Sequence, residues 1–130
     1  MSITTKVHTD DIVAQIEAIE QRFREAIRPA AFAGAEVYYA EVMQRVPKRT
    51  GLLASSIYIA FSEENSQDNQ KATYHVSWNK KQAYYGHFVE FGTSKMAARP
   101  FLRPAYEAAK GRAEAEMKRV LQEAVNGSGN

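Results

Sequence analysis

The sequence predicts an α+β fold, made of a long kinked N-terminal helix, a small antiparallel β-sheet, a short helix and a C-terminal helix. Three patterns support this prediction. Apolar residues recur at helical spacing over residues 12–27 and again over residues 106–124. Between these regions, residues 57–62 and 73–78 alternate in side-chain character, as half-buried strands do.

Length and composition indicate one domain, residues 1–125, followed by a flexible tail, residues 126–130. A chain of 130 residues with 45% apolar and 25% charged side chains can bury a modest core. The net charge is only +2 with both signs interspersed, so no basic stripe for nucleic acid is expected. The absence of cysteine excludes disulfides, thiolate catalysis and the usual structural zinc sites. No apolar signal segment or membrane span is visible, which predicts synthesis in the cytoplasm.

The N-terminal helix is predicted to start at Thr9, because a hydroxyl followed by Asp10 and Asp11 suits the positive end of a helix. Pro29 predicts either a kink or a break into two helices. If the helix continued to Arg45 it would be about 54 Å long and would overhang a domain of this size. A partner chain would then have to cover its apolar stripe. That stripe consists of Ile12, Ile16, Ile19, Phe23 and Ile27.

The middle of the chain predicts a β-hairpin followed by a short helix. Thr50 is placed to cap a turn through Leu52 and Leu53. The two alternating segments are expected to pair antiparallel across an exposed polar loop at residues 63–71. Aromatic residues in the region 84–91 are expected to pack a short helix onto this sheet, and Gly92 is expected to end it.

Two X-Pro steps precede the C-terminal helix. Arg99 and Arg103 each stand before a proline, so both are expected to be extended. Pro104 is then expected at the first position of a helix that runs to about Val125.

Glu90 is the most informative single residue of the chain. A carboxylate between Val89 and Phe91 is costly to bury unless it is paired or hydrogen-bonded. We expect a structural ion pair that ties the Thr-Gly-Leu-Leu turn to the Phe-Gly-Thr-Ser loop. The candidate partners are Arg49, Arg99 and Arg103.

Catalytic and metal sites are weakly supported, and no cofactor is expected. His87 and Glu90 are spaced as two metal ligands, but only His75 is available as a third. Ser55 and Ser56 lack the motif of a nucleophilic serine. The aromatic and basic residues around the hairpin are also compatible with a stacking surface for single-stranded nucleic acid, although strand and helix periods direct most of them inward.

Two sequence blocks resemble a known family. They are VPKRTGLLASSI, residues 46–57, and YYGHFVEFGTSKMAARPFLRPA, residues 84–105. Both resemble the signature blocks of the gp-ten-like tail-component family of lambdoid siphophages. The matching residues are Pro47, Arg49, Thr50, Gly51, Leu52, Ser56, Ile57, Tyr85, Val89, Glu90, Phe91, Gly92, Thr93, Arg99, Pro100, Phe101 and Pro104.

The resemblance implies a structural virion protein, a neck or tail-completion protein in a ring at the head–tail junction, and not an enzyme. It implies sixfold or twelvefold self-association, contacts with head-closure, tail-terminator and tail-tube proteins, passage of genomic DNA through the lumen without specific binding, and no membrane partner. The alternatives are a tail terminator that caps the tail tube, a small cytoplasmic nucleic-acid-binding protein, and a small hydrolase built on the histidines and Glu90. The residues expected to serve structure or interfaces are Arg49, Thr50, Gly51, Glu90, Phe91, Gly92, Thr93, Lys95, Arg99, Pro100, Phe101, Arg103 and Pro104.

Overall fold

The computed structural model describes residues 2–5, 9–48 and 51–127, and it confirms the α+β fold. A long helix α1 leads into a short α2, a β-hairpin, a short α3 and a long α4. The bounds are α1 Thr9–Arg45, α2 Leu52–Ser55, β1 Ile57–Phe61, β2 Tyr74–Trp78, α3 Gly86–Phe91 and α4 Leu102–Val125.

Helix α1 continues through Pro29 for 37 residues, a length of about 55 Å at 1.5 Å per residue. The predicted alternative of a break into two helices is therefore wrong. Proline removes one backbone hydrogen bond and crowds the preceding turn. Its neighbours Ala26 and Ala30 are both buried, however, and this packing holds the two sides of the proline in one helix.

Helix α4 lies antiparallel to the C-terminal half of α1. Ala105, Ala109 and Ala113 are completely buried at spacings of four residues, and such small side chains let two helices approach closely. Gly34 continues this close packing, since a Cβ there would stand 2.7 Å from the sulfur of Met117. At the far end, the Arg22 guanidinium donates to the carbonyls of Ala124 and Val125 in the last turn of α4.

The two strands pair antiparallel as predicted, with Ile57 opposite Trp78 and Phe61 opposite Tyr74. Arg28 of α1 fixes the hairpin to the helix. Its guanidinium carbon lies 3.8 Å from the centroid of the Phe61 ring, and its Nε donates to the hydroxyl of Tyr74 at 3.1 Å.

The core lies where α1, the hairpin and the start of α4 meet. The Phe101 side chain is 0% exposed and packs edge-on against Trp78, with ring centroids 5.7 Å apart. The rest of this cluster is Val42, Val46, Leu53, Ala54, Ile57, Ala83 and Ala105.

The aromatic residues of the α3 region do not form the predicted buried cluster. The prediction is wrong for Tyr84, Phe88 and Phe91, which are 75%, 44% and 66% exposed, whereas Tyr85 and Val89 pack against the core as expected. The residues that α3 buries are Gly86 and Glu90. A Cβ at Gly86 would stand 2.5 Å from the Trp78 indole nitrogen, so only glycine lets the indole lie against this helix.

Helix α4 begins at Leu102 rather than at Pro104. Arg103, which was expected to be extended, therefore lies in the first helical turn. Pro104 is the third helical residue, where a backbone N–H would have no partner within the helix, so its missing donor costs little. The predicted C-terminal tail is described only as far as Gly127; residues 128–130 lie outside the described part.

Candidate functional site

Glu90 caps the first turn of α4 from a distance. One carboxylate oxygen, Oε1, accepts the backbone N–H groups of Phe101 and Leu102, each at 2.9 Å. The other oxygen, Oε2, accepts the N–H of Arg103 at 3.3 Å. The first N–H groups of a helix have no partner within it, and they form the positive end of its dipole. A buried carboxylate is thus placed where it satisfies three of these donors.

The contacts of Glu90 differ from those expected from the sequence. Its partners are backbone groups, and neither Arg99 nor Arg103 forms an ion pair with it. The Arg103 guanidinium instead lies 3.5 Å from the carboxylate of Glu107, on the exposed surface of α4. Arg49, the third candidate, lies outside the described residues, as does Thr50.

Gly92 ends α3 and starts a closed loop, residues 93–98. Its φ is +77°, in the region that favours glycine, and a Cβ would meet the backbone nitrogen of Ala98 at 2.8 Å. The two ends of the loop are tied to α3, since Gly92 donates to the Phe88 carbonyl and Arg99 to the Val89 carbonyl, both at 2.7 Å. Within the loop, the N–H of Thr93 donates to the Met96 carbonyl at 2.8 Å. The sequence correctly predicted Gly92 as the end of the helix.

The other predicted interface residues divide between the core and the surface. Phe101 is fully buried, whereas Phe91, Lys95 and Pro100 are exposed. Gly51 also has a positive φ, +77°, and stands at the N-terminus of α2. The structure therefore brings together Glu90, Gly92 and the backbone at 101–103, an arrangement that we call the Glu90 lock. It leaves the side chains of the loop exposed.

An apolar groove of about 440 Å³ lies beside this lock. It is lined by Pro47, Leu52, Leu53, Tyr85, Val89 and Met96, and Arg99 adds a charged side chain. It lies where the end of α1, α2, α3 and the loop come together. This groove could not be predicted from the sequence, because its walls come from four separate stretches of the chain.

The opposite end of the molecule carries the projecting segment, residues 10–23 of α1. Every residue in it is exposed, because α4 ends beside Arg22. The segment still carries the apolar period found in the sequence, and its most exposed member is Ile16, at 57%. The stripe on this segment comprises Ile12, Val13, Ile16, Ile19 and Phe23.

Glu41 is a buried carboxylate that the sequence did not single out. It accepts hydrogen bonds from Arg112 at 2.6 Å and from Arg45 at 2.9 Å, which joins the C-terminal end of α1 to α4. These hydrogen bonds, that of Arg112 first, lower the pKa of the Glu41 carboxyl. The spacing of Glu41 and Arg45 was visible as an i, i+4 pair, but Arg112 is 71 residues away.

Comparison with known protein families identifies the family of this chain. Over residues 10–92, the chain matches a family described as "Bacteriophage HK97-gp10, putative tail-component". The match covers 83 of the 130 residues, counting from 10 to 92 inclusive. The chain belongs to this family. No curated protein and no solved structure matches it significantly.

The HK97-gp10-like match runs from the projecting segment of α1 through α2, the hairpin and α3, and ends at Gly92. Glu90 therefore lies inside the matched region, and the helix that it caps lies beyond it. The chain is accordingly a structural tail component of a bacteriophage, a constituent of the virion.

Within the described residues, no group of three His, Cys, Asp or Glu side chains is arranged to hold a metal ion. His87 instead packs beside Phe91, with ring centroids 4.9 Å apart. Across residues 2–5, 9–48 and 51–127, neither long helix has the run of uncharged apolar sequence that a bilayer span requires.

Proposed function

We propose that the chain is a neck or tail-completion subunit that forms a ring at the head–tail junction of a tailed bacteriophage. The observation that carries this proposal is the projecting segment of α1, an exposed apolar stripe in a member of a tail-component family. A face of this kind is what a subunit buries against a neighbour. A head-to-tail contact closes into a ring when its rotation divides a full turn.

In this proposal the subunit works mechanically rather than as an enzyme. The α1–α4 pair and the Glu90 lock form its rigid body, and the projecting segment reaches a neighbouring subunit. The loop at residues 93–98, with Ser94 and Ala97 exposed and outside the groove lining, docks on an adjoining virion protein: head closure, tail terminator or tail tube. A ring of six or twelve subunits leaves a lumen for genomic DNA, and a net charge of only +2 per chain suits passage without specific binding. The subunit is made in the host cytoplasm before it joins the virion.

The direct test is to remove the gene from the phage and examine the lysate by electron microscopy. We expect filled heads and separate tails of normal length, with infectivity restored by the wild-type chain supplied from a plasmid. Infectious tailed particles that lack the protein would overturn the proposal.

The same micrographs distinguish a joint from a tail terminator. A tail terminator limits the length of the tail tube because it caps the growing end. Loss of a terminator should therefore give overlong tails. Complementation with the loop variant Ser94→Glu, Ala97→Glu then tests docking by the loop, since both side chains are exposed and neither lines the groove. Full infectivity of that variant would exclude the loop as the docking site.

A further inference from the structure

We propose that the projecting segment of one subunit occupies the apolar groove of the next subunit, as the repeated contact of the assembly. This inference rests on the proposed function, because it names the joint by which the ring closes. Two surfaces of the same chain carry it: the stripe of residues 12–23 and the groove beside the Glu90 lock.

The two surfaces match in shape and polarity. The stripe is a ridge of isoleucine, valine and phenylalanine side chains on an uncovered helix. The groove is an apolar concavity of about 440 Å³, and Leu52 and Met96 in its lining are both more than 40% exposed. An amphipathic helix laid with its apolar face in such a groove is a common mode of protein recognition.

The stripe cannot reach the groove of its own subunit. Ile16 and Arg45 are 29 residues apart on one continuous helix, a distance of about 44 Å. Pro47 and Leu52 of the groove follow directly after the end of that helix. The two surfaces therefore stand at opposite ends of the subunit, and joining them requires a second copy placed head to tail.

The charges around the two surfaces are complementary. Residues 10–23 contain four carboxylates and one arginine, so the projecting segment is acidic. Lys48 and Lys95 flank the groove next to its lining residues Pro47 and Met96, and Arg99 lies in the lining itself. All three cations are exposed.

This arrangement favours a head-to-tail contact over the pairing of two stripes. Two projecting segments placed together would bring two helices of net charge −3 alongside each other, from four carboxylates and one arginine in each, and like charges repel. Each segment placed in a groove instead meets lysine and arginine. The net negative charge of the segment thus favours the groove as the partner of the stripe.

The chain contains no cysteine, so engineered cysteines can form disulfides only with each other, and a cross-link reports the contact directly. The test variants carry Leu52→Cys together with Ile16→Cys, or Leu52→Cys together with Ile19→Cys, to cover two registers of the helix in the groove. After mild oxidation of the purified full chain, we expect a ladder of two, three and more subunits that a reducing agent collapses to one band. A mixture of single variants Ile16→Cys and Leu52→Cys should give only a dimer of about 29.2 kDa, twice 14.6 kDa.

Two controls separate the alternatives. Ile16→Cys alone should stay monomeric after oxidation, and a dimer from it would show stripe-to-stripe pairing and overturn the inference. Ile16→Cys with Lys118→Cys, an exposed position on α4 outside the groove, should give no ladder. A ladder from this pair as strong as from the Leu52 pairs would mean unspecific collision and would also overturn it.

The outcomes also separate this inference from the proposed function. If the wild-type chain forms oligomers but neither Leu52 pair cross-links, the groove binds another protein. This result overturns the head-to-tail contact and leaves the proposed function unchanged. If the chain stays at 14.6 kDa at every concentration, the contact fails in the same way, while the virion role is decided by the gene deletion. A ladder together with normal particles from the deleted phage would retain the contact and overturn the proposed function.

Discussion

The two halves of α1 have the same apolar period and opposite surroundings. In residues 26–45, Ala26, Ala30, Ala35 and Val42 are all buried. In residues 10–23 no residue is buried, although isoleucines and a phenylalanine recur at the same spacing. The period therefore identifies a face that must be covered, but it does not say whether this chain or another covers it. In residues 10–23, no part of the described chain covers it, and a second subunit is the proposed cover.

The largest effect that we expect from a single substitution is in the packed body. Phe101→Ala should lower the free energy of unfolding by about 3–5 kcal/mol, because it removes a fully buried ring and leaves a cavity beside Trp78. Urea denaturation followed by tryptophan fluorescence measures this change. The matched control is Phe91→Ala, which removes the same ring from an exposed position and should change stability by less than about 1 kcal/mol. Equal losses from the two variants would contradict the division into a packed body and an uncovered surface.

A smaller loss is expected at the lock between α3 and α4. Glu90→Ala should cost about 2–3 kcal/mol, because three backbone donors lose a charged acceptor inside the protein. Glu90→Gln should cost less, about 1 kcal/mol, since its amide oxygen can still accept from Phe101 and Leu102. Thermal unfolding of both variants checks this order. Glu107→Ala, an exposed carboxylate of the same helix, is the control, and a loss there as large as at Glu90 would refute the capping role.

The smallest effect on the isolated subunit is expected in the projecting segment. Ile16→Ser should change the free energy of unfolding by no more than about 0.5 kcal/mol, because the side chain is 57% exposed and touches no core. The variant should instead weaken self-association, measured by light scattering over a range of concentrations. A loss of more than about 1.5 kcal/mol in dilute solution would mean that this segment packs within its own subunit.

The sequence predicted the elements whose patterns are local. The strands were visible as alternating residues, and the end of α3 was visible as Gly92, because backbone geometry there depends on one residue type. Pro29 led to one wrong prediction, the break of α1 into two helices. The cost of a proline in this helix is offset by burial of Ala26 and Ala30, which no local pattern shows.

The partners of Glu90 could not be predicted for a different reason. The sequence indicated a carboxylate in an apolar setting, and arginines were the obvious partners. The actual donors are backbone N–H groups at the start of a helix, which every residue type except proline carries and which therefore leave no trace in the sequence. The Glu41–Arg112 pair was missed because its members are 71 residues apart.

The loop after Gly92 has a consequence for how this protein can diversify. Both of its ends are fastened to consecutive carbonyls of α3, so the rest of the fold does not depend on what lies between them. Lengthening such a loop costs little entropy once its ends are held. Exposed loops on a rigid scaffold are also where proteins most readily accept new sequence. Residues 93–98 are thus the part of this subunit whose sequence can change with the least effect on the helices and the sheet.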